Sequence, residues 1–290
     1  MSKTDDKTGE KPDPRVHPYR PDLAAAYLRG RVKADRFIDG VECQVRTGFA
    51  SMVESPGFEA RQTSQLLFGE RFTVYDDRDG WVWGQNETDG YVGWIRLETL
   101  SDEVTEPTHV VKALRTFLFS DADLKSPTVD VLSMGASVTV LREKGRWAEI
   151  AGGGWVFTGH LLGDDGLLPD MAETALAFLG SPYLWGGRTS IGLDCSGLVQ
   201  IAAAMAGYEC PRDSDQQRAE LGETVSPDGA GHAYRRGDIV FFPGHVGIMR
   251  DADTLIHANA HHMAVVAEPL VDVLARAGSK GGITAVNRVG

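Results

Sequence analysis

The segment Leu193-Asp194-Cys195-Ser196-Gly197-Leu198-Val199-Gln200-Ile201-Ala202-Ala203-Ala204-Met205-Ala206-Gly207 has the composition of one helix with a reactive residue at its start. Alanine, leucine and methionine favour helix and a glycine ends one, so the segment predicts a helix from about Cys195 to Ala206. Asp194 stands where an N-cap belongs, which puts Cys195 in the first turn. Unpaired N–H groups and the positive end of the helix dipole there favour a thiolate. The same amides, the Cys195 N–H foremost, are placed to bind an oxyanion. A cysteine within the apolar stripe would be only a small buried side chain. At the helix start, flanked by Asp194 and Ser196 and preceded by Pro182-Tyr183-Leu184-Trp185-Gly186-Gly187, it reads as a nucleophile.

Working outward towards the C-terminus, Arg235-Arg236-Gly237-Asp238-Ile239-Val240-Phe241-Phe242-Pro243-Gly244-His245-Val246-Gly247-Ile248-Met249-Arg250 gives two buried strands around a Pro-Gly turn. His245 opens the second. Thr254-Leu255-Ile256-His257-Ala258-Asn259-Ala260 gives a third strand after a turn. Alternation in antiparallel neighbours permits His245 and His257 to share a face. Nucleophile, base and orienter need that order of contact: Cys195, then His245, then His257 holding the tautomer of His245 through its other ring nitrogen. His17, His160, His232, His261 and His262 carry no such pattern and read as surface residues.

Working outward towards the N-terminus, Gly163-Asp164-Asp165-Gly166 marks a boundary, and residues 168–180 predict an amphipathic helix beginning near Asp170 and ending at Gly180. Before that boundary the sequence repeats. Leu66-Leu67-Phe68-Gly69 leads to a strand over Arg71–Tyr75, Trp81 and Gly90-Tyr91-Val92-Gly93-Trp94. Val131-Leu132-Ser133-Met134-Gly135 leads to a strand over Ser137–Leu141, Trp147 and Gly153-Gly154-Trp155-Val156. Both glycines precede their tryptophan by 12 positions. Short strands punctuated by glycine suggest small barrels with Trp81 and Trp147 in their cores, and the pattern resembles two tandem bacterial SH3-like domains. Residues 22–33 have helical composition, with Asp22 able to cap, and residues 1 to about 17 read as a disordered polar lead-in. The expected organisation is a lead-in and helix over 1–40, SH3-like domains over 41–103 and 104–165, and a catalytic domain over 166–290.

The strings around Cys195, His245 and His257 together resemble the NlpC/p60 cysteine peptidases, over about residues 170–290. The resemblance implies an α+β fold in which a papain-like domain follows two SH3-like β-barrels. It implies hydrolysis of bacterial cell-wall peptides after D-γ-glutamate, before diaminopimelate or lysine, with Cys195 as nucleophile, His245 as base and His257 as third member. Asp194 and Ser196 flank the nucleophile within the expected substrate-binding set, and Tyr183 matches a tyrosine near the reacting carbonyl. Arg212-Asp213-Ser214 resembles a segment of members with tandem SH3-like domains, in which Asp213 and Ser214 would bind the free amine of an N-terminal L-Ala. Tyr91 and Glu54 of the first SH3-like domain would wall off that end of the cleft. Such a wall implies free tripeptides as substrates, in recycling of murein peptides, rather than intact wall.

Composition narrows the partners. The 290 residues carry a formal net charge of −12, which disfavours nucleic acid, whose phosphates need clustered Lys and Arg. Three cysteines, Cys43, Cys195 and Cys210, suit a reducing compartment better than a disulfide framework. No apolar core follows the N-terminal charges and no run of about 18 apolar residues occurs, so the expectation is a cytoplasmic protein without a membrane partner. No metal or organic cofactor is implied. Three rival readings are a zinc site on Cys195, His245 and His257, an inert wall-binding module, and an amidase or acyltransferase on the same fold.

Overall fold

The computed structural model describes residues 11–163, 166–226, 233–278 and 281–290. Its C-terminal part rests on a six-stranded antiparallel sheet in the order Glu223–Ser226, Ala285–Arg288, Ile239–Phe242, His245–Met249, Thr254–Asn259, Ala264–Pro269. Ile239–Phe242 is buried at every position, as an unbroken apolar run requires of a strand covered on both faces. The helices among the described residues are α1 (Met171–Leu176), α2 (Cys195–Met205), α3 (Ser214–Glu220) and α4 (Leu270–Ala277). The predicted helix over 195–206 is therefore present as α2. It packs against α1 and the His245–Met249 strand, and its alanines let it lie close. Gly197 has a specific role: a Cβ there would meet the Gly187 carbonyl oxygen at 2.2 Å, so only glycine lets the start of α2 abut the Gly186-Gly187 loop. α1 is shorter than the expected 168–180. Asp170 caps it, accepting from the Glu173 N–H, but after Leu176 the chain turns to bury Phe178.

Residues 41–101 form a seven-stranded sheet in the order Gln62–Leu67, Phe49–Val53, Val92–Arg96, Trp81–Asn86, Arg71–Arg78, Val41–Val45, Leu100–Ser101. Residues 109–163 form sheets of three and five strands. The two units share a series of elements. Gly69 (φ +82°) and Gly135 (φ +88°) make equivalent left-handed turns, and 3-10 turns at Leu97–Thr99 and Thr158–His160 each precede a short last strand. Trp81 is buried as expected. Trp147 is not a core residue: it is half-exposed, and its ring meets Phe119 and Phe157 edge-on at centroid distances of 5.2 and 6.3 Å. In that unit the interior is filled by Leu118, Leu132, Ala148, Ile150 and Val156, which leaves the tryptophan on the outer face.

The helix expected over 22–33 does not form. Leu23–Ala25 is a short strand paired in parallel with Arg36–Ile38, followed by a 3-10 turn at Ala26–Leu28. Leu23, Ala25 and Leu28 pack with Trp81, Trp83 and Trp94, and Asp22 bonds Arg20 rather than capping. Leu23, Ala24 and Ala25 are all fully buried, so tertiary packing claims every face and overrides a modest helical propensity. Residues 11–17 are also ordered against the first barrel: the Val92 N–H donates to the Arg15 carbonyl at 2.7 Å. The expected disorder of residues 1–10, the boundary at Asp164-Asp165 and the surface reading of His232 lie outside the described residues. No helix is long and apolar enough to cross a membrane among the described residues.

Candidate active site

Asp194 builds the start of α2. Its Oδ1 accepts from the Gly197 N–H at 2.8 Å, which is the predicted N-cap bond. Its Oδ2 accepts from the Gly186 N–H at 2.8 Å and from Arg212 Nη2 at 2.7 Å. Arg212 is itself buried and also donates to Ser196 Oγ at 2.8 Å and to Ser64 Oγ of the first barrel at 3.0 Å. Asp194 and Ser196 thus face back into the protein and hold the nucleophile's turn in place. Cys195, at the first position of α2, is half-buried. As the first helical residue its amide has no acceptor within the helix and is free to donate outward.

The electrostatics differ from the expected thiolate. Burial, and then the Asp194 carboxylate, push the Cys195 thiol up to about 12, opposed by the N–H groups of Val246 and Ser196. Burial, and then the ring of His257, bring His245 down to about 4. Both shifts favour the neutral thiol and the neutral imidazole over the expected ion pair. The N-cap carboxylate offsets the helix dipole that the sequence pattern invoked. The Val246 amide that bonds the sulfur follows His245 directly in the chain, which ties the base's strand to the nucleophile.

Behind His245 runs a relay. His245 Nε2 lies 2.7 Å from His257 Nδ1, and His257 Nε2 lies 2.8 Å from Glu268 Oε1. Burial would raise the Glu268 carboxyl, but hydrogen bonds from Arg276 and His257 outweigh it and hold it down to about 2. An ionised carboxylate only accepts, so His257 carries its proton on Nε2 and accepts at Nδ1 from His245 Nε2–H. Asn259 Nδ2 lies 3.0 Å from the same His257 nitrogen, but the carboxylate's charge decides the tautomer. His245 Nδ1 is left bare as the basic nitrogen. His257 spends both ring nitrogens on this relay and has none left to ligate a metal, which counts against the zinc reading. Glu268 carries no motif and was not legible in the sequence. It sits two positions along from Val266, the residue opposite His257 on the next strand, a diagonal that long side chains span.

The remaining site residues divide. Tyr183 is half-buried, pairs with Leu193 beside the nucleophile's loop and packs against the core with Cys195. Burial, and then Cys195 and Asp194, push its hydroxyl up to about 12, so it remains a donor. Tyr91 and Asp213 do meet across the domains: the Tyr91 hydroxyl donates to Asp213 Oδ2 at 3.1 Å. Asp213 occupies the N-cap position of α3 but makes no capping bond with its side chain. Ser214 begins α3 beside it. Glu54 is exposed at the edge of the first barrel and bonds Arg61 Nη2 at 2.6 Å, apart from the Asp213–Tyr91 pair.

Residues 180–275 match the NlpC/P60 family. The chain carries an NlpC/P60 peptidase domain. Residues 52–100 match the bacterial dipeptidyl-peptidase Sh3 domain, so the NlpC/P60 domain follows an SH3-like one. Over 220 residues the chain is 27% identical to a gamma-D-glutamyl-L-lysine dipeptidyl-peptidase of Bacillus subtilis strain 168, covering 67% of this chain and 71% of that one. It is 24% identical over 190 residues to dipeptidyl-peptidase 6 of Lysinibacillus sphaericus, covering 64% of this chain and 66% of that one. The fold is also that of a crystal structure of an NlpC/P60 family protein from Bacillus cereus ATCC 10987. That match has a TM-score of 0.73 at 20% identity and covers 85% of this chain and 99% of that one. The α+β, papain-like fold with an SH3-like domain before it, expected from the sequence, is the fold observed.

Proposed function

We propose that the protein hydrolyses the γ-D-glutamyl–diamino acid bond of peptides derived from bacterial cell wall. Cys195 is the nucleophile and L-Ala-γ-D-Glu the released dipeptide. The chain His245–His257–Glu268, on a strand whose Val246 amide meets the Cys195 sulfur, carries this reading. His245 Nδ1 takes the Cys195 proton as sulfur attacks the carbonyl, which suits a neutral pair better than a preformed thiolate. The Cys195 amide and the Tyr183 hydroxyl donate to the oxyanion. His245 then protonates the leaving amine of diaminopimelate or lysine, and water cleaves the thioester to release the dipeptide and restore the thiol.

Specificity for a free N-terminus rests on Asp213 held by Tyr91, a carboxylate suited to an ammonium. With the amine held by Asp213 and Cys195 as nucleophile, a dipeptide would be released, which is the cut named for the dipeptidyl-peptidase relatives. Glu54 would enter this reading only by exchanging Arg61 for substrate. A free amine restricts the enzyme to turnover fragments. The three free thiols suit a reducing compartment, where such fragments would be recycled. The test is hydrolysis of L-Ala-γ-D-Glu-diaminopimelate beside its N-acetylated form. Cleavage of the free peptide alone is expected; equal cleavage of both removes the amine site, and cleavage of neither turns the reading to a binding module or another acyl acceptor.

A further inference from the structure

Arg15, ahead of the first barrel, reaches the peptidase domain. Its Nη1 donates to Asp213 Oδ2 at 2.8 Å and to Asp215 Oδ1 at 2.9 Å, and its Nη2 to Asp215 Oδ2 at 2.9 Å. Nε and Nη2 also grip Asp13, the latter at 2.7 Å. The segment carrying it is fixed to the barrel. The Val92 N–H donates to the Arg15 carbonyl at 2.7 Å, Gln85 Nε2 donates to the Val16 carbonyl at 2.9 Å, and Val16 packs in the same cluster as Tyr91. Residues 11–17 are thus a strap that seats one guanidinium where the barrel and α3 meet.

Asp213 needs such an anchor. At the N-cap position a carboxylate ordinarily turns onto the free amides of its own helix, yet here it makes no such bond. Arg15 and Tyr91 pull it away from α3, and both bond Oδ2. Oδ1 is left with only the longer Tyr91 contact of 3.4 Å. Around Arg15 stand three carboxylates, Asp13, Asp213 and Asp215. Arg212 also acts on Asp213 and His17 on Asp13, so Arg15 shares this cluster with other cations.

We propose that Arg15 is a specificity-determining positioning residue, which holds Asp213 off its helix and turns Oδ1 towards the ammonium of the substrate. The strap is then part of the peptidase's closed end. This rests on the amine site assigned above to Asp213.

The experiment uses the full chain and measures kcat and KM for L-Ala-γ-D-Glu-diaminopimelate and its N-acetylated form. In Arg15→Gln, KM for the free peptide is expected to rise about tenfold with kcat within about twofold, and the preference for the free amine to fall by about the same tenfold. A merely structural ion pair would move the melting temperature and leave that preference alone. Unchanged preference in a folded Arg15→Gln protein overturns the inference and leaves the amine site standing. A lowered KM for the free peptide also overturns it, since Arg15 would then compete with the amine. A wild-type protein without preference removes the amine site and this inference together. Should Arg15→Gln fail to fold, exposed Asp215→Asn decides. It weakens Arg15's hold on α3 while leaving its bond to Asp213, and is expected to lower the preference about threefold; no change there overturns the inference.

Discussion

Cys195 and His245 show how neighbouring residues set reactivity. A helix N-terminus lowers a thiol's pKa when its amides and dipole act unopposed. Here the N-cap is a carboxylate and the half-buried thiol is partly withdrawn from water, and together these oppose the helix. Two measurements follow. The rate at which iodoacetamide alkylates Cys195, after subtracting the Cys195→Ala background, should climb steadily from pH 6 to pH 9, about tenfold per unit, as the thiolate fraction grows. A plateau by pH 7 would mean an ion pair instead. For the base, a pKa lowered to about 4 means that neutral His245 persists above that pH and is lost as pH falls through it. The acid limb of kcat/KM should therefore lie near pH 4, well below the ordinary histidine range near 6.5. Cys195→Ala should keep the melting temperature and lose turnover; activity near wild type would remove the nucleophile assignment.

Three adjacent strands supply the proposed base, its proposed orienter and the carboxylate behind them: His245–Met249, Thr254–Asn259 and Ala264–Pro269. Each gives one side chain to the relay, so its geometry is fixed by strand register rather than by loops. Glu268→Gln tests the outermost position. The amide nearly matches the carboxylate in shape but can donate, which lets His257 take the opposite tautomer and turn a proton towards His245 Nε2. The expected result is a loss of roughly 10²-fold in kcat, at the low end of what a positioned base supplies, with little change in KM. Activity within twofold of wild type would show that His257 holds its tautomer without the carboxylate. The nucleophile's helix depends similarly on Arg212. Arg212→Met strands a buried Asp194 and should cost about 3–5 kcal/mol, read from denaturant unfolding.

The two N-terminal β units and the peptidase domain share one packed core. Leu67 and Phe68 of the first barrel lie in the same apolar cluster as Leu198 and Ile201 of α2 and Leu132 of the second unit. Buried Arg188 donates to both Glu70 oxygens at 3.0 Å across the first boundary, and Gln200 of α2 donates to Asp89 at 2.9 Å. The proposed wall from the first barrel would therefore be rigid with respect to Cys195. Removing one partner of that pair leaves an uncompensated buried charge. Arg188→Met should thus destabilise by about 3–5 kcal/mol and, where still folded, weaken the preference for a free amine. A variant as stable as wild type would show that the apolar contacts alone join the domains.

Local chemistry was legible without coordinates wherever one short segment contains the whole cause. Asp194, Cys195 and Gly207 announce a capped helix with a candidate nucleophile, and Pro243-Gly244-His245 a turn into the candidate base's strand. The spacing of Gly69 to Trp81, repeated from Gly135 to Trp147, announces a doubled series of strands. Partners distant in sequence were not legible. Glu268 reaches His257 through strand register, and Arg15 meets Asp213 from 198 positions away. Leu23-Ala24-Ala25 became a strand because the tryptophans of the barrel buried all its faces. The sequence alone marked the candidate residues of the site, Glu268 and Arg15 apart, and the helix and strands that carry them. Tertiary structure decided their protonation, tautomer and reach, because burial and charge depend on what the rest of the chain packs around each group.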